Sequence, residues 1–295
     1  MKRFIKVCLI AGSVCILIGG CISVTAAAMG GTLEEVVPRR AVEWKKELSG
    51  LSLDGSWEDF DFYVGSYEDM GERGQEIFSS GEIEELDIEA RGGKVVLEED
   101  PSADRVRIFC NRDETHWSVN GDKDELELKV YPGSGDDSGL LVTILVPVDY
   151  RFTGVNIKSA HTGRIRDREA PAPLIMAQSL SADEMELEAK AGAIKIDGGN
   201  AETLVIASDA GAVDFSGTTT GDIEAECRVG AVRLKLDGLK EDYNYKIRCS
   251  LGAVKIGDES SAALKSSKKV DNGAGKNMDL ECITGAIQVG FMNDI

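Results

Sequence analysis

One pattern, Gly-Ala-[Ile/Val] followed by any residue and then an apolar one, returns five times in the second half of this chain. The copies are Gly192-Ala193-Ile194-Lys195-Ile196, Gly211-Ala212-Val213-Asp214-Phe215, Gly230-Ala231-Val232-Arg233-Leu234, Gly252-Ala253-Val254-Lys255-Ile256 and Gly285-Ala286-Ile287-Gln288-Val289. Their glycines are 19, 19, 22 and 33 residues apart. Upstream of each glycine an alternation also returns. Seven residues before it stand Met185, Leu204, Ile223, Tyr245 and Met278, and five before it Leu187, Ile206, Ala225, Ile247 and Leu280. Three before it stand Ala189, Ser208, Cys227, Cys249 and Cys282. A period of two puts alternate side chains on one side, so all of these columns face one interior.

The pattern predicts a short strand, a tight corner at the glycine, and a second short strand. Glycine suits the corner because it accepts positive φ without a Cβ clash. One copy cannot bury its own apolar face, but stacked copies align their columns roughly 4.8 Å apart and share a core. Proline is absent after Pro173, as a pile of paired strands requires. The expected fold is all-β: a β-solenoid, a single-stranded β-helix-like stack of strand–Gly–strand repeats, with five to seven coils.

Weaker copies extend upstream. Gly93 follows Leu86, Ile88 and Ala90 and precedes Val95 and Leu97, which fits every column. Gly163 follows Ala160 and precedes Ile165, but Val155 and Ile157 are one residue out of phase, which predicts a bulge. The structural glycines are therefore Gly93, Gly163, Gly192, Gly211, Gly230, Gly252 and Gly285. The buried small-residue ladder is Ala90, Ala160, Ala189, Ser208, Cys227, Cys249 and Cys282. Stretches 105–109, 126–130 and 140–146 read as ordinary strands, with hairpin turns at Asn120-Gly121 and at residues 133–139.

The first residues read differently. Lys2, Arg3 and Lys6 precede 23 uncharged residues, Val7 to Met29, long enough for a transmembrane helix. The basic flank predicts a cytoplasmic N-terminus with the rest of the chain outside the cell membrane. Two other readings fit the same segment. Ala26-Ala27-Ala28 resembles a signal-peptidase site that would release a secreted domain, and Ile18-Gly19-Gly20-Cys21 resembles a lipobox with Cys21 lipidated. The expected organisation is residues 1–31 as membrane anchor or signal segment, 32–80 as juxtamembrane stalk or linker, and 81–295 as the repeat domain. All three readings place that domain outside the cytoplasm.

Charge narrows the partners. The net charge is −19, and the first 31 residues hold three bases and no acid, so the remainder carries −22. Such a surface repels nucleic acid and anionic headgroups.

The sequence resembles the DUF4097-type family of bacterial candidate adhesins. The likeness is carried by Leu86-Asp87-Ile88-Glu89 leading to Gly93, by Ile144-Leu145-Val146-Pro147, by the five Gly-Ala copies, and by the closing Gly290-Phe291. It runs from about Glu82 to Phe291. The resemblance implies a β-helix-like stack behind a membrane segment, no catalytic motif, and an adhesin-like role. A tie of related domains to cell-envelope stress signalling supplies a second role, that of a membrane-anchored sensor or regulator acting through protein partners.

No catalytic, metal or cofactor site is expected. The three aligned cysteines suggest a disulfide or metal string, but Ala and Ser share their slot, so the column reads as small buried side chains. A zinc site needs ligands that two histidines and no Cys-x-x-Cys pair do not supply. The stretch 271–277 lacks the first glycine and the Ser/Thr of a phosphate loop. His116 and His161 have no nucleophile placed near them. An outward acidic column comprises Asp87 and Glu89, Glu186 and Glu188, Glu224 and Glu226, and Asp279 and Glu281. It reads as a solvated face that guards strand edges, or as a wall for a cationic ligand. The expected function is a non-catalytic extracytoplasmic surface protein that binds a protein or glycan ligand and no nucleic acid.

Overall fold

The computed structural model describes residues 72–81, 83–122, 124–131, 140–160, 173–250, 253–257, 259–262 and 266–292. The chain divides into two units, residues 1–61 and 62–295, and the described residues lie in the second. The expected anchor, Cys21, and most of the stalk fall outside them. No helix among the described residues is long and apolar enough to cross a membrane.

Each coil has one strand before its corner and one after it, and these strands stack into two faces. The leading face runs, in spatial order, β6 (Glu125–Val130), β2 (Glu85–Ala90), β8 (Arg151–Ser159), β10 (Ser181–Ala189), the second half of β11 (Ala193–Ser208), β13 (Ile223–Cys227), β19 (Lys276–Cys282) and β15 (Tyr243–Cys249), all parallel. The trailing face runs β7 (Leu141–Pro147), β3 (Lys94–Asp100), β9 (Leu174–Gln178), the first half of β11, β12 (Ala212–Thr219), β14 (Ala231–Leu236), β20 (Ala286–Phe291) and β16 (Ala253–Ile256), also parallel. That makes eight coils, one more than the upper expectation. Antiparallel strands close both ends. On one side, β5 (Trp117–Asp122) pairs with β6, and β4 (Val106–Cys110) pairs with β7 and carries β1 (Gln75–Ser80). On the other, β18 (Ser266–Val270) pairs with β15 and β17 (Glu259–Ala262) with β16. They cover the parallel edges that would otherwise template pairing with another chain.

The columns read from the sequence are successive rungs. Ile194, Val213 and Val232 are directly paired, and all are at most 2% exposed within one continuous core. Rung order departs from chain order. Val232 pairs next with Ile287, and Ile287 with Val254, so the last coil is inserted between two earlier ones. The first coil, β2 with β3, likewise lies between β6/β7 and β8/β9. Identical columns make either order chemically acceptable, so spacing alone does not reveal the insertion.

Four local expectations are corrected. Strand β8 has no bulge: Val155 and Ile157 stay in phase with Leu86 and Ile88, and Ser159, not Ala160, pairs with Ala90 and Ala189. Gly163 lies outside the described residues, and Pro173 holds the corner slot, its carbonyl accepting from Ala193 N as Gly192 accepts from Ala212 N. Strands β6 and β7 form a coil across two faces rather than a hairpin. The turn joining β5 to β6 falls after Asp122, because Asn120-Gly121 is paired within β5. Gly252 also lies outside the described residues, and β1 occupies the end of the stretch read as linker.

Candidate binding face

The outward residues of the leading face form three rows across the stack. In the row nearest the corners, Lys129, Glu89, Lys158 and Glu188 alternate in sign. There each carboxylate has a basic neighbour: Glu89 with Arg91 (2.7 Å), Glu188 with Lys190 (3.2 Å), Glu226 with Arg228 (3.0 Å) and Glu281 with Arg248 (2.6 Å). The middle row reads Glu127, Asp87, Asn156, Glu186, Val205, Glu224, Asp279, Lys246. The far row begins Glu125, Glu85, Gly154, Glu184. Among the described residues, Glu85, Glu125, Glu184, Glu186 and Glu224 have no basic side chain within 4 Å.

A groove of about 330 Å³ opens where these rows cross β8. Its cause is local. Gly154 stands between Glu85 and Glu184 with no side chain to fill the gap, and the strand backbone at Leu86, Val155 and Met185, whose side chains face the core, lies beneath it. Glu85, Asp87, Glu125, Glu184 and Glu186 line the walls. Burial pushes the Asp87 carboxyl above its ordinary range, with Glu127 and Glu89 adding to the rise and Lys158 opposing it. Asn156 Oδ1 is buried here and accepts no hydrogen bond. The carboxylates are spread along strands rather than converging, and no group of metal-ligating residues forms among the described residues. Anions spaced along neighbouring strands suit an extended cationic ligand better than a single ion.

The cysteine column sits inside, not on this face. Cys227, Cys282 and Cys249 occupy consecutive rungs, are at most 3% exposed, and are free thiols. A hydrogen bond shared with Cys227, together with burial, pushes the Cys282 thiol far up, so it stays protonated. The slot's use is structural. Ser159 Oγ donates to Ala191 O (2.7 Å), Ser208 Oγ to Gly211 O (2.8 Å) and Cys282 Sγ to Gly285 O (3.0 Å), each tying down a corner.

Other sequence candidates are accounted for by turns. His116 Nδ1 lies 3.0 Å from Asp113 Oδ1 in an exposed turn, and His161 lies outside the described residues. In the stretch 271–277, the backbone N–H groups of Asn272 and Ala274 donate to Asn244 Oδ1, which fills the position an anion would need. The sequence identified the acidic column but not the groove. Its signal was a lone glycine, Gly154, inside an otherwise regular strand.

Fold and face together define an all-β, stacked-coil protein with a polar, groove-bearing exterior. The family model described as Toastrack DUF4097 matches residues 79–289, more than two thirds of the chain, and the chain belongs to that family. Solved structures similar to it include a candidate cell adhesion protein from Clostridium sporogenes, at 14% identity and TM-score 0.34, over 71% of this chain and 93% of that one. A candidate adhesin from Bacteroides fragilis is similar at 14% identity and TM-score 0.28, over 73% and 97%. One from Parabacteroides distasonis is similar at 11% identity and TM-score 0.27, over 73% and 97%. No curated protein matches the chain.

Proposed function

We propose that this is a non-catalytic, adhesin-like surface protein that holds a cationic protein partner along its acidic leading face. One observation carries the reading: among the described residues, four of the carboxylates around the Gly154 groove, Glu85, Glu125, Glu184 and Glu186, have no basic side chain within 4 Å, whereas those beside the corners are neutralised by neighbouring Lys and Arg. A face that merely guards strand edges has no need of that division. Partner lysines or arginines entering the groove would gain charge-assisted hydrogen bonds with its carboxylates. The N-terminal segment tethers the domain to the cell membrane with the repeats outside the cytoplasm.

The test uses the full chain in detergent and an extended Arg/Lys-rich peptide as probe. Binding is expected to weaken as salt rises through the physiological range. Glu85→Gln, Glu184→Gln and Glu186→Gln together are expected to lower affinity about tenfold or more. Binding that persists unchanged in the triple variant would sink the groove. Capture of a membrane protein through residues 1–80, insensitive to the same variant, would favour the envelope-stress sensor or regulator instead.

A further inference from the structure

Besides tying down corners, the cysteine column is rearranged by the insertion of the last coil. In chain order Cys249 would stand between Cys227 and Cys282. In the stack Cys282 stands between them, paired with Cys227 on one side and Cys249 on the other. Each cysteine is the last residue of its strand, β13, β19 or β15, where the ladder gives way to a corner. Rungs about 4.8 Å apart put neighbouring Cα atoms inside the ordinary disulfide range of about 4.4–6.8 Å. Cys227 and Cys249, two rungs apart, are separated by about 9–10 Å. The side chains also lean along the stack. Cys227 Sγ reaches over the next corner, 2.5 Å from where a Cβ on Gly285 would lie. Cys282 Sγ is within hydrogen-bonding reach of both Cys227 and Cys249. Farther up the column the slot holds Ser208, Ala189, Ser159 and Ala90, so among the described residues thiols meet only here.

We propose that Cys227 and Cys282 are an oxidisable pair, which a small disulfide converts to a bond that staples the inserted coil to β13 and leaves Cys249 a thiol. Cys227 is the attacking sulfur. A hydrogen bond shared with Cys282, with N–H donors from Ala286 and Gly230, outweighs burial and holds its pKa below the ordinary thiol value. Its thiolate attacks one sulfur of the oxidant, R–S–S–R, and one R–S⁻ leaves and takes up a proton. Cys282 then gives up its proton, attacks Cys227 Sγ and expels the second R–S⁻, which takes that proton. Two protein thiols become one disulfide, and the oxidant is reduced to two thiols. Once Cys227 can no longer carry charge, part of what held the Cys282 proton is gone. Because the pair is buried, the reaction runs when the corner opens locally or before the last coil docks. The bond spans 55 residues of sequence and encloses β14 to β18, so it holds in place the strand β19 on which β15 rests.

The full chain in detergent is held in a glutathione redox buffer, both folded and during refolding from urea, then alkylated and digested with trypsin. Cleavage after Arg228, Arg248 and Lys276 puts the three cysteines on separate peptides. Mass spectrometry without reduction is expected to find the Cys227 and Cys282 peptides joined within one chain and Cys249 alkylated. In the joined form, protease cleavage within residues 240–270 is expected to slow about tenfold or more, and dithiothreitol is expected to restore the parent rate. Cys282→Ser, which repeats the residue type of Ser159 and Ser208 at this rung, is expected to abolish both effects, and Cys249→Ser to keep both. A column that only fills space would produce neither. Three alkylated cysteines after both treatments overturn the proposal, as does a bond from Cys249 to either partner, or between chains, in place of Cys227–Cys282. A joined pair with unchanged cleavage overturns the staple.

Discussion

A corner glycine is required for one of two reasons, and they separate by position. Gly93 and Gly192 have φ of 72° and 98°, the left-handed region that disfavours any Cβ. Gly211, Gly230 and Gly285 have no such φ. There a Cβ would meet the neighbouring rung instead: at Gly230 it would lie 2.0 Å from Gly211 O and 2.2 Å from Ser208 Oγ. Gly230→Ala is therefore expected to destabilise the domain by about 2–4 kcal/mol in denaturant titrations. Gly275→Ala, with nothing within 4 Å of its Cβ, is expected to stay within about 0.5 kcal/mol of the parent. Asp214 shows the opposite sensitivity, to charge rather than volume. It is 8% exposed on the trailing face beside Arg233 at 3.5 Å, and burial outweighs that arginine and Lys235 and Lys195, raising its carboxyl pKa. A carboxyl with a raised folded pKa costs stability above that pKa, and the cost disappears as pH falls through it towards the unfolded value. Asp214→Asn is thus expected to raise Tm at pH 7, with the gain gone near the unfolded carboxyl pKa of about 4. A lower Tm at neutral pH would show that the arginine contact dominates.

At the scale of strands and coils, the insertion of the first and last coils makes an unusual prediction. In an ordinary solenoid a terminal repeat can be removed and its neighbour remains stacked. Here, ending the chain at Val270 would remove β19 and β20, on which both β13/β14 and β15/β16 rest. The expected result is loss of β15 to β18 as well, read as protease sensitivity throughout residues 240–270. Survival of that region would mean β15/β16 can restack directly on β13/β14. Much of this architecture was legible in the sequence, because the inward columns are apolar at fixed distances from a glycine, and burial follows those columns closely. The order of the rungs was not, since Val232 meets Ile287 or Val254 with equal chemical comfort. The corner at Pro173 was missed for a related reason. Gly163 matched the residue type, but the phase of Val155 and Ile157 pointed to Ser159 as the ladder residue, and phase rather than glycine decides register. The groove was missed because a gap depends on what a strand lacks, at Gly154, between two neighbours that only the fold brings alongside it.

Taken whole, the molecule balances one long core against a strongly acidic exterior. With −19 net charge, and much of the leading face uncompensated, self-repulsion opposes compactness at low ionic strength. Tm is expected to rise as salt goes from about 10 to 150 mM, where the screening length falls from roughly 30 to 8 Å. A flat or falling profile would mean the ion pairs beside the corners matter more than the repulsion. The placement of the first coil matters for the N-terminal tether proposed above. A pull from that side first meets β1, bonded along a single edge to β4, and then β2 and β3, each gripped along both edges. Drawing such a coil out ruptures four ladders, two on each face, like pulling a card from mid-deck while both neighbours hold it. An optical-tweezers trace is expected to show a small early slip followed by one large break, so the domain would resist shear at a surface far longer than a spiral that frays from its tip.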